Sequence, residues 1–287
     1  MVVAKVPDSA TISFAFAVNL IEPAPTPTDY VKHDHHGVVA PILFRGALFR
    51  AHPRQANGMC GRARISSDVS EIRIAFSIPP HRPALNLPAT WNLAPTDQAA
   101  VVRLDARAGE RSLDAMRWGL IPYWARDIKI GYSTINAQCE AIENKPAFRE
   151  AFRRRRCLVP VDSFYEWKKT GKEKQPFAIG LADRRIMALA GLWETWRSPA
   201  GETVRSFTIV TTTPNALCAD LHDRMPVILK PENWPAWLGE EPAGEPALKA
   251  LLVPCPAEEL VCWPVSARVG NVKNNDPSLI EPITLAP

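Results

Sequence analysis

Ser206–Thr212 reads Ser-Phe-Thr-Ile-Val-Thr-Thr, a run of β-branched and aromatic side chains that predicts a strand. Upstream, Pro176–Leu181 and Ile186–Leu192 read as two more strands, joined by a turn at Asp183-Arg184-Arg185. Cys157–Val161 and Ala100–Leu104 are further short apolar strands. Helical signals are fewer. One helix is expected over Pro146–Arg155, with Asn144 as its cap and Phe148, Ala151 and Phe152 on one face. Others are expected over Pro231–Leu238, where Trp234 and Trp237 stand three apart, and over Glu245–Leu252. No internal repeat is visible. This pattern predicts an α+β domain with a mostly antiparallel, barrel-like sheet and peripheral helices.

The chain has 287 residues, 46% hydrophobic and 22% charged, the balance of a soluble globular protein with a sizeable core. Its 28 prolines against 14 glycines predict proline-stiffened loops around the strands. A formal charge of +4 permits an anionic partner without requiring one. Cys60, Cys139, Cys157, Cys218, Cys255 and Cys262 form no C-x-x-C pair, which argues against a zinc site of the usual spacing and against a small disulfide scaffold. Reduced thiols and a cytoplasmic location are expected. No apolar run approaches the ~20 residues that span a bilayer, so no membrane partner is expected. Thr11–Ile21 imitates a signal core, but Lys5 and Asp8 before it make a poor leader. Residues 1–58 differ from the rest: prolines 23, 25 and 27, a His33-Asp34-His35-His36 cluster, and no sustained periodicity. They are expected to be a disordered extension or the product of an upstream start codon, with the His cluster a solvated tail and no metal bound. Residues 59–287 then form one domain.

Met59-Cys60-Gly61-Arg62 looks like the start of a protein set inside one. A Cys that follows an initiator Met becomes N-terminal when that Met is removed, and then carries a thiol and a free α-amine on neighbouring carbons. Such a 1,2-aminothiol attacks an aldehyde with nitrogen to give an imine, then with sulfur to close a thiazolidine. With a pKa of roughly 7.7–8.0, the α-amine is appreciably neutral at cellular pH. An internal Cys has only an amide nitrogen and cannot do this.

Three further islands set ionisable groups inside strand-like text: Thr134-Ile135-Asn136-Ala137-Gln138-Cys139-Glu140, Phe164-Tyr165-Glu166-Trp167 and Leu221-His222-Asp223-Arg224-Met225-Pro226. Singly, each has a bland reading: a turn cap, a surface carboxylate beside Lys168 and Lys169, a structural histidine. Together and in this order they resemble the SRAP family, whose members shield abasic sites in DNA. The resemblance runs from Met59 to about Pro282. It includes Trp91-Asn92-Leu93-Ala94-Pro95-Thr96, Arg117-Trp118-Gly119-Leu120-Ile121-Pro122, Pro264-Val265-Ser266 and Val269-Gly270-Asn271-Val272-Lys273-Asn274.

The resemblance implies Cys60 as nucleophile, Asn136 as a polar site group, Glu166 as acid/base and His222 as a second proton-transfer residue. Arg62 and Arg224 would meet phosphates. Where this chain has Gln138 the family often has Arg, so a phosphate contact there is weaker or supplied by a neighbour. Residue chemistry agrees. A carboxylate at a strand end between Tyr165 and Trp167 is desolvated and suited to shuttling protons, and His222 suits protonation of the sugar ring oxygen. Tyr123 and Trp124, with Pro95 beside them, are the candidates for a wedge or stacking platform. The Arg153–Arg156 run reads equally as a helix end and is left out of the site. The expected function is binding of single-stranded DNA and a covalent thiazolidine link to abasic sites, with a thiol autopeptidase or lyase label and no cofactor. A monomer is expected, nucleoid-associated if the source is bacterial. Two rivals stand beside it: a Cys-dependent N-terminal-nucleophile hydrolase, and a non-catalytic single-stranded DNA-binding module.

Overall fold

The computed structural model describes residues 61–171 and 173–285; the 1–58 extension and the Met59-Cys60 pair lie outside them. In chain order the strands are β1 (Ala63–Ile65), β2 (Thr90–Leu93), β3 (Gln98–Asp105), β4 (Glu110–Trp118), β5 (Asn136–Gln138) and β6 (Arg156–Val161). They continue as β7 (Ser163–Thr170), β8 (Glu173–Leu181), β9 (Met187–Arg197), β10 (Thr203–Thr212), β11 (Met225–Pro226) and β12 (Leu260–Pro264). The α-helices are short: α1 (Val69–Ala75), α2 (Arg149–Arg154), α3 (Ala216–Ala219), α4 (Trp234–Leu238) and α5 (Glu245–Ala250).

The strand read from Ser206–Thr212 is the hub. β10 pairs with β4, β4 with β3, β3 with β6, β6 with β9, and β9 again with β10, so the five strands close into a barrel. Closure leaves no free edge within the ring. The pairings are antiparallel except where β10 runs beside β4 and β5. Met187 to Leu192 of β9 are buried without alternation, as expected of a strand covered on both faces. At Gly191 an added Cβ would lie 2.9 Å from the Cys157 sulfur and 3.1 Å from the Thr208 carbonyl oxygen, so a side chain there would force the barrel wall apart.

A second, wholly antiparallel sheet has the order β12-β8-β7-β1-β2. Asp162 joins the two at the step from β6 to β7. Its carboxylate accepts from the N–H of Ser66 and of Ser67, which fixes the exit from β1. The turn through Asp183-Arg184-Arg185 connects two strands as expected, but those strands are not partners. It carries the chain from β8 in this sheet to β9 in the barrel, with Arg184 in the left-handed region at φ 60°.

Side-chain alternation along β7 decides what Glu166 meets. Phe164 packs into the main core, whereas Tyr165 packs into a separate cluster with Ala178, Val265, Val269 and Leu279. Neighbours on a strand face opposite ways, so Glu166 shares the Phe164 side.

The expected helix over Pro146–Arg155 covers only Arg149–Arg154, and Phe148 rather than Asn144 stands at its cap, with no side-chain bond. The chain first makes a turn in which the Lys145 carbonyl accepts from the N–H of Phe148 and of Arg149, and α2 begins only after it. The Pro231 helix opens as a 3-10 turn at Pro231–Asn233 before α4, and α5 ends at Ala250. Of the arginine run, Arg155 pairs with Glu194 at 2.6 Å, and Arg156 donates to the carbonyls of Phe152, Arg153 and Trp237.

Candidate functional site

The chain enters the fold along β1. Ala63 lies between Leu93 of β2 and Phe164 of β7, and the N–H of Tyr165 donates to the carbonyl of Arg62 at 3.1 Å. Arg62 is held by its side chain as well. Its Nη1 donates to Asn92 Oδ1 and to the Val269 carbonyl, both at 2.9 Å, and its Nη2 to the Gly270 carbonyl at 3.4 Å. Burial holds the guanidinium below its ordinary pKa, with nearby Asp97 opposing the shift. Asn92 is itself buried, and its amide donates to the carbonyls of Val269, Asn271 and Asn274 at 2.9–3.2 Å. The Trp91–Thr96 and Val269–Asn274 motifs are thus two halves of one clamp on Arg62, at the entry to β1.

Glu166 lies mid-strand in β7 and only 5% exposed, not at the strand end expected from sequence. Its charge is felt at Cys218. Burial pushes the Cys218 thiol up to about 12, and the nearby Glu166 carboxylate adds to the rise. Cys218 sits on α3, a single turn capped by Asn215, whose Oδ1 accepts from the Cys218 N–H at 2.9 Å. The N–H of His222 donates to the Cys218 carbonyl at 2.9 Å. Cys218 thus combines the electrostatic influence of Glu166 with a backbone bond from His222. The ring of His222 is half-buried; its Nδ1 lies 2.7 Å from Asp223 Oδ1 and 3.2 Å from the N–H of Arg224. With Nδ1 engaged by its own turn, Nε2 is the nitrogen left for exchanging a proton with a substrate.

β5 and β11 flank the end of β10. Ile209 pairs with Asn136 and Thr211 with Gln138 on one side, and Thr212 pairs with Met225 on the other. Asn136 and Gln138 share a face of β5. Arg224, just before β11, makes a two-pronged contact with Glu140 at 2.6 and 2.8 Å and donates to the Thr211 carbonyl at 2.7 Å. The hydrogen bond from Arg224 holds the Glu140 carboxyl below the usual carboxylate range. A carboxylate here occupies the fork geometry that a phosphate also takes. Lys145 Nζ donates to Gln138 Oε1 at 3.4 Å.

Tyr123 and Trp124 are 57% and 47% exposed, on the loop between β4 and β5 together with exposed Ile128 and Tyr132. Exposed aromatics on one loop form a surface on which bases can stack. Gly119, at φ 110°, lies back to back with Gly131: a Cβ on the first would strike the Gly131 carbonyl, and one on the second would lie 2.9 Å from the Gly119 oxygen. Only glycines let the loop close at its base. The Pro95 turn shares this footing. The Thr96 N–H donates to the Trp118 carbonyl, and the Trp118 N–H to the Asp97 carbonyl.

The five described cysteines, Cys139, Cys157, Cys218, Cys255 and Cys262, all have thiols raised by burial, none poised as a thiolate. Among the described residues no cluster of His, Cys, Asp and Glu could hold a metal ion, and no helix is long and apolar enough to cross a membrane. Three residues escaped the sequence reading of roles: Asn92, Glu140 and Cys218. Asn92, a polar side chain inside the apolar run Trp91–Ala94, was the one with a legible signal.

The family model described as SOS response associated peptidase (SRAP) matches residues 59–272. The abasic site processing protein YoqW of Bacillus subtilis is 42% identical over 224 residues, 78% of this chain and 99% of its own length. The abasic site processing protein YedK of Escherichia coli is 34% identical over 194 residues, 67% of this chain and 84% of its own. A crystal structure of a Bordetella bronchiseptica protein covers 72% of this chain and all of its own, with TM-score 0.62 and 28% identity. One from Bacteroides thetaiotaomicron shares the fold at TM-score 0.71 and 24% identity. The match spans the motifs that build the site, and the chain belongs to the SRAP family.

Proposed function

We propose that this protein processes abasic sites in single-stranded DNA by forming a thiazolidine through Cys60, once Cys60 is the N-terminal residue. The observation that carries this reading is the Tyr165 N–H to Arg62 carbonyl bond, which runs the chain entering at Gly61 alongside the Glu166 segment of β7. Cys60 lies outside the described residues, and the approach of the described chain to the Glu166 segment is what supports the reading. The protonated character of the five described thiols supports the same choice of nucleophile.

The chemistry needs protons moved in both directions. Ring opening of the deoxyribose takes a proton from the C1 hydroxyl and gives one to the ring oxygen. The Cys60 amine then attacks the aldehyde carbon, and the carbinolamine loses its protonated hydroxyl as water and a proton from nitrogen, leaving the imine. Sulfur adds to the imine carbon as its proton passes to nitrogen, closing the ring. Glu166 shuttles the protons at C1 and at the leaving hydroxyl, His222 serves the ring oxygen, and Asn136 orients the amine without changing charge. Arg62 and Arg224 are the candidate phosphate contacts, with Tyr123, Trp124 and Pro95 as the wedge. Cys60 becomes N-terminal either by initiation at Met59 with Met excision, the favoured route, or by self-cleavage, in which the Met59 carbonyl shifts from the Cys60 nitrogen to its thiol, freeing the amine, and water then hydrolyses the thioester.

The test is a single-turnover time course on an abasic single-stranded oligonucleotide, with intact mass of the protein and its adduct. A heat-stable adduct on a chain beginning at Cys60, absent in Cys60→Ala and reduced to a borohydride-trappable imine in Cys60→Ser, is the expected result. An adduct that survives in Cys60→Ala, or an active chain that still begins at Met1, overturns the reading.

A further inference from the structure

We infer that Lys145, held beside Gln138, supplies a cation that meets a DNA phosphate at the end of β5. This rests on the single-stranded DNA reading above and names a residue that neither the motifs nor the site residues include. The argument begins with charge. Three cations crowd this corner, and two are matched by carboxylates: Arg224 with Glu140 at 2.6 Å, and Lys249 with Glu143 at 2.7 Å. Among the described residues Lys145 has no carboxylate partner, so it is the uncompensated positive charge.

Its position is set by the backbone. A 3-10 turn over Cys139–Ala141 and the bonds from the Asn144 and Lys145 N–H groups to the Ala141 carbonyl fold the segment back, bringing Nζ within 3.4 Å of Gln138 Oε1. Gln138 is exposed, pairs with Thr211, and shares its face of β5 with Asn136. Arg224 is anchored on the carbonyl of that same Thr211. A strand whose abasic sugar lies at Asn136 would therefore pass Gln138 next, between Arg224 and Lys145. A neutral amide at Gln138 cannot bind phosphate by charge, but it can hold the ammonium group that does.

The experiment is fluorescence anisotropy of the full-length protein with an intact, fluorescently labelled single-stranded oligonucleotide across a salt series. Lys145→Gln should weaken binding several-fold at low salt and reduce the slope of log K against log salt by about 0.7, the loss of one phosphate contact on a single strand. Gln138→Arg added to Lys145→Gln should restore the slope, and Arg107→Gln, in the β3–β4 turn, should leave it unchanged. The adduct-forming rate at saturating abasic DNA should stay at the wild-type value. A wild-type slope in Lys145→Gln, or an equal loss in Arg107→Gln, overturns the inference. Absence of any Cys60-dependent adduct in the wild type would instead overturn the proposed function, while the salt slope still decides the role of Lys145.

Discussion

Arg62 Nη1 lies 2.9 Å from Asn92 Oδ1, and the same Asn92 amide donates to three carbonyls of the Val269–Asn274 segment. One buried amide thus links the first residues of the domain to the last part of its sequence.

The first prediction concerns this clamp. Asn92→Ala removes the amide donor to the Asn271 and Asn274 carbonyls and leaves Arg62 only the Val269 and Gly270 carbonyls, at a cost of about 2–4 kcal/mol for several lost bonds. Arg62→Lys keeps the charge but loses the fork, and should also lower the melting temperature. If Arg62 acted on DNA alone, Arg62→Lys would melt like the wild type while binding oligonucleotide less tightly. Thermal denaturation beside anisotropy separates the two roles.

The clamp also marks what the sequence could reveal. The cores of β3, β6, β8, β9 and β10 were legible because β-branched runs make strands wherever they pair. A barrel-like sheet was expected, but the pairing that closes it was not legible, because β10 meets β4 through residues as distant as Ser206 and Arg117. The polar motifs were legible as a resemblance, but Asn92 and Arg62 act through Val269, more than 170 positions away. The start of α2 was misplaced because a turn closed on the Lys145 carbonyl precedes it. α1 was overlooked although Asp68 and Glu71 spell out its reciprocal capping box. The mid-strand burial of Glu166 depends on the main core that receives the Phe164 side of β7, which no local pattern announces.

The second prediction is that Glu166→Gln, which keeps shape but cannot carry a proton, slows adduct formation by on the order of 10²-fold or more while oligonucleotide affinity barely changes. Its buried position makes the isosteric change the informative one. A wild-type single-turnover rate in this variant would remove Glu166 from the mechanism.

Glu140 occupies the Arg224 fork, so the third prediction is that Glu140→Gln frees the guanidinium and tightens binding of a single-stranded oligonucleotide several-fold at low salt. The pair also has a defined pH dependence. The folded-state pKa of Glu140 is depressed by Arg224, so the stabilisation is present above its unfolded value, roughly 4.3. It is lost only as pH falls further, through the lower folded value. Acid titration should show the Glu140 carboxylate persisting below the range of exposed glutamates. Unchanged oligonucleotide affinity in Glu140→Gln would mean that the carboxylate does not compete for the site.

Cys218 provides the fourth prediction, because it is the described thiol whose pKa the Glu166 carboxylate raises. With its pKa pushed up to about 12, it is protonated at neutral pH and a poor nucleophile. Cys218→Ala should form adduct within about twofold of the wild-type rate, and the native thiol should resist alkylation at pH 8 in the folded protein. Mass spectrometry after timed alkylation reads the second point. Loss of adduct in Cys218→Ala with an unchanged melting temperature would move the nucleophile from Cys60 to Cys218.

The fifth prediction follows from the loop pinned at Gly119 and Gly131. Tyr123 and Trp124 stand exposed on a rigid base, and a ring can stack on a base only where that base has lost its own neighbour. In an intact duplex each base is already stacked, and unstacking costs a few kcal/mol per step. Abasic single strands and junctions should therefore crosslink faster than an abasic duplex at matched salt. Trp124→Ala should narrow that difference, since stacking on an aromatic side chain is worth about 1–3 kcal/mol per base. The change is confined to an exposed side chain, so the melting temperature should hold. Equal yields on single strand and duplex in the wild type would remove the wedge role from Tyr123 and Trp124, and leave their exposure to be explained by another partner.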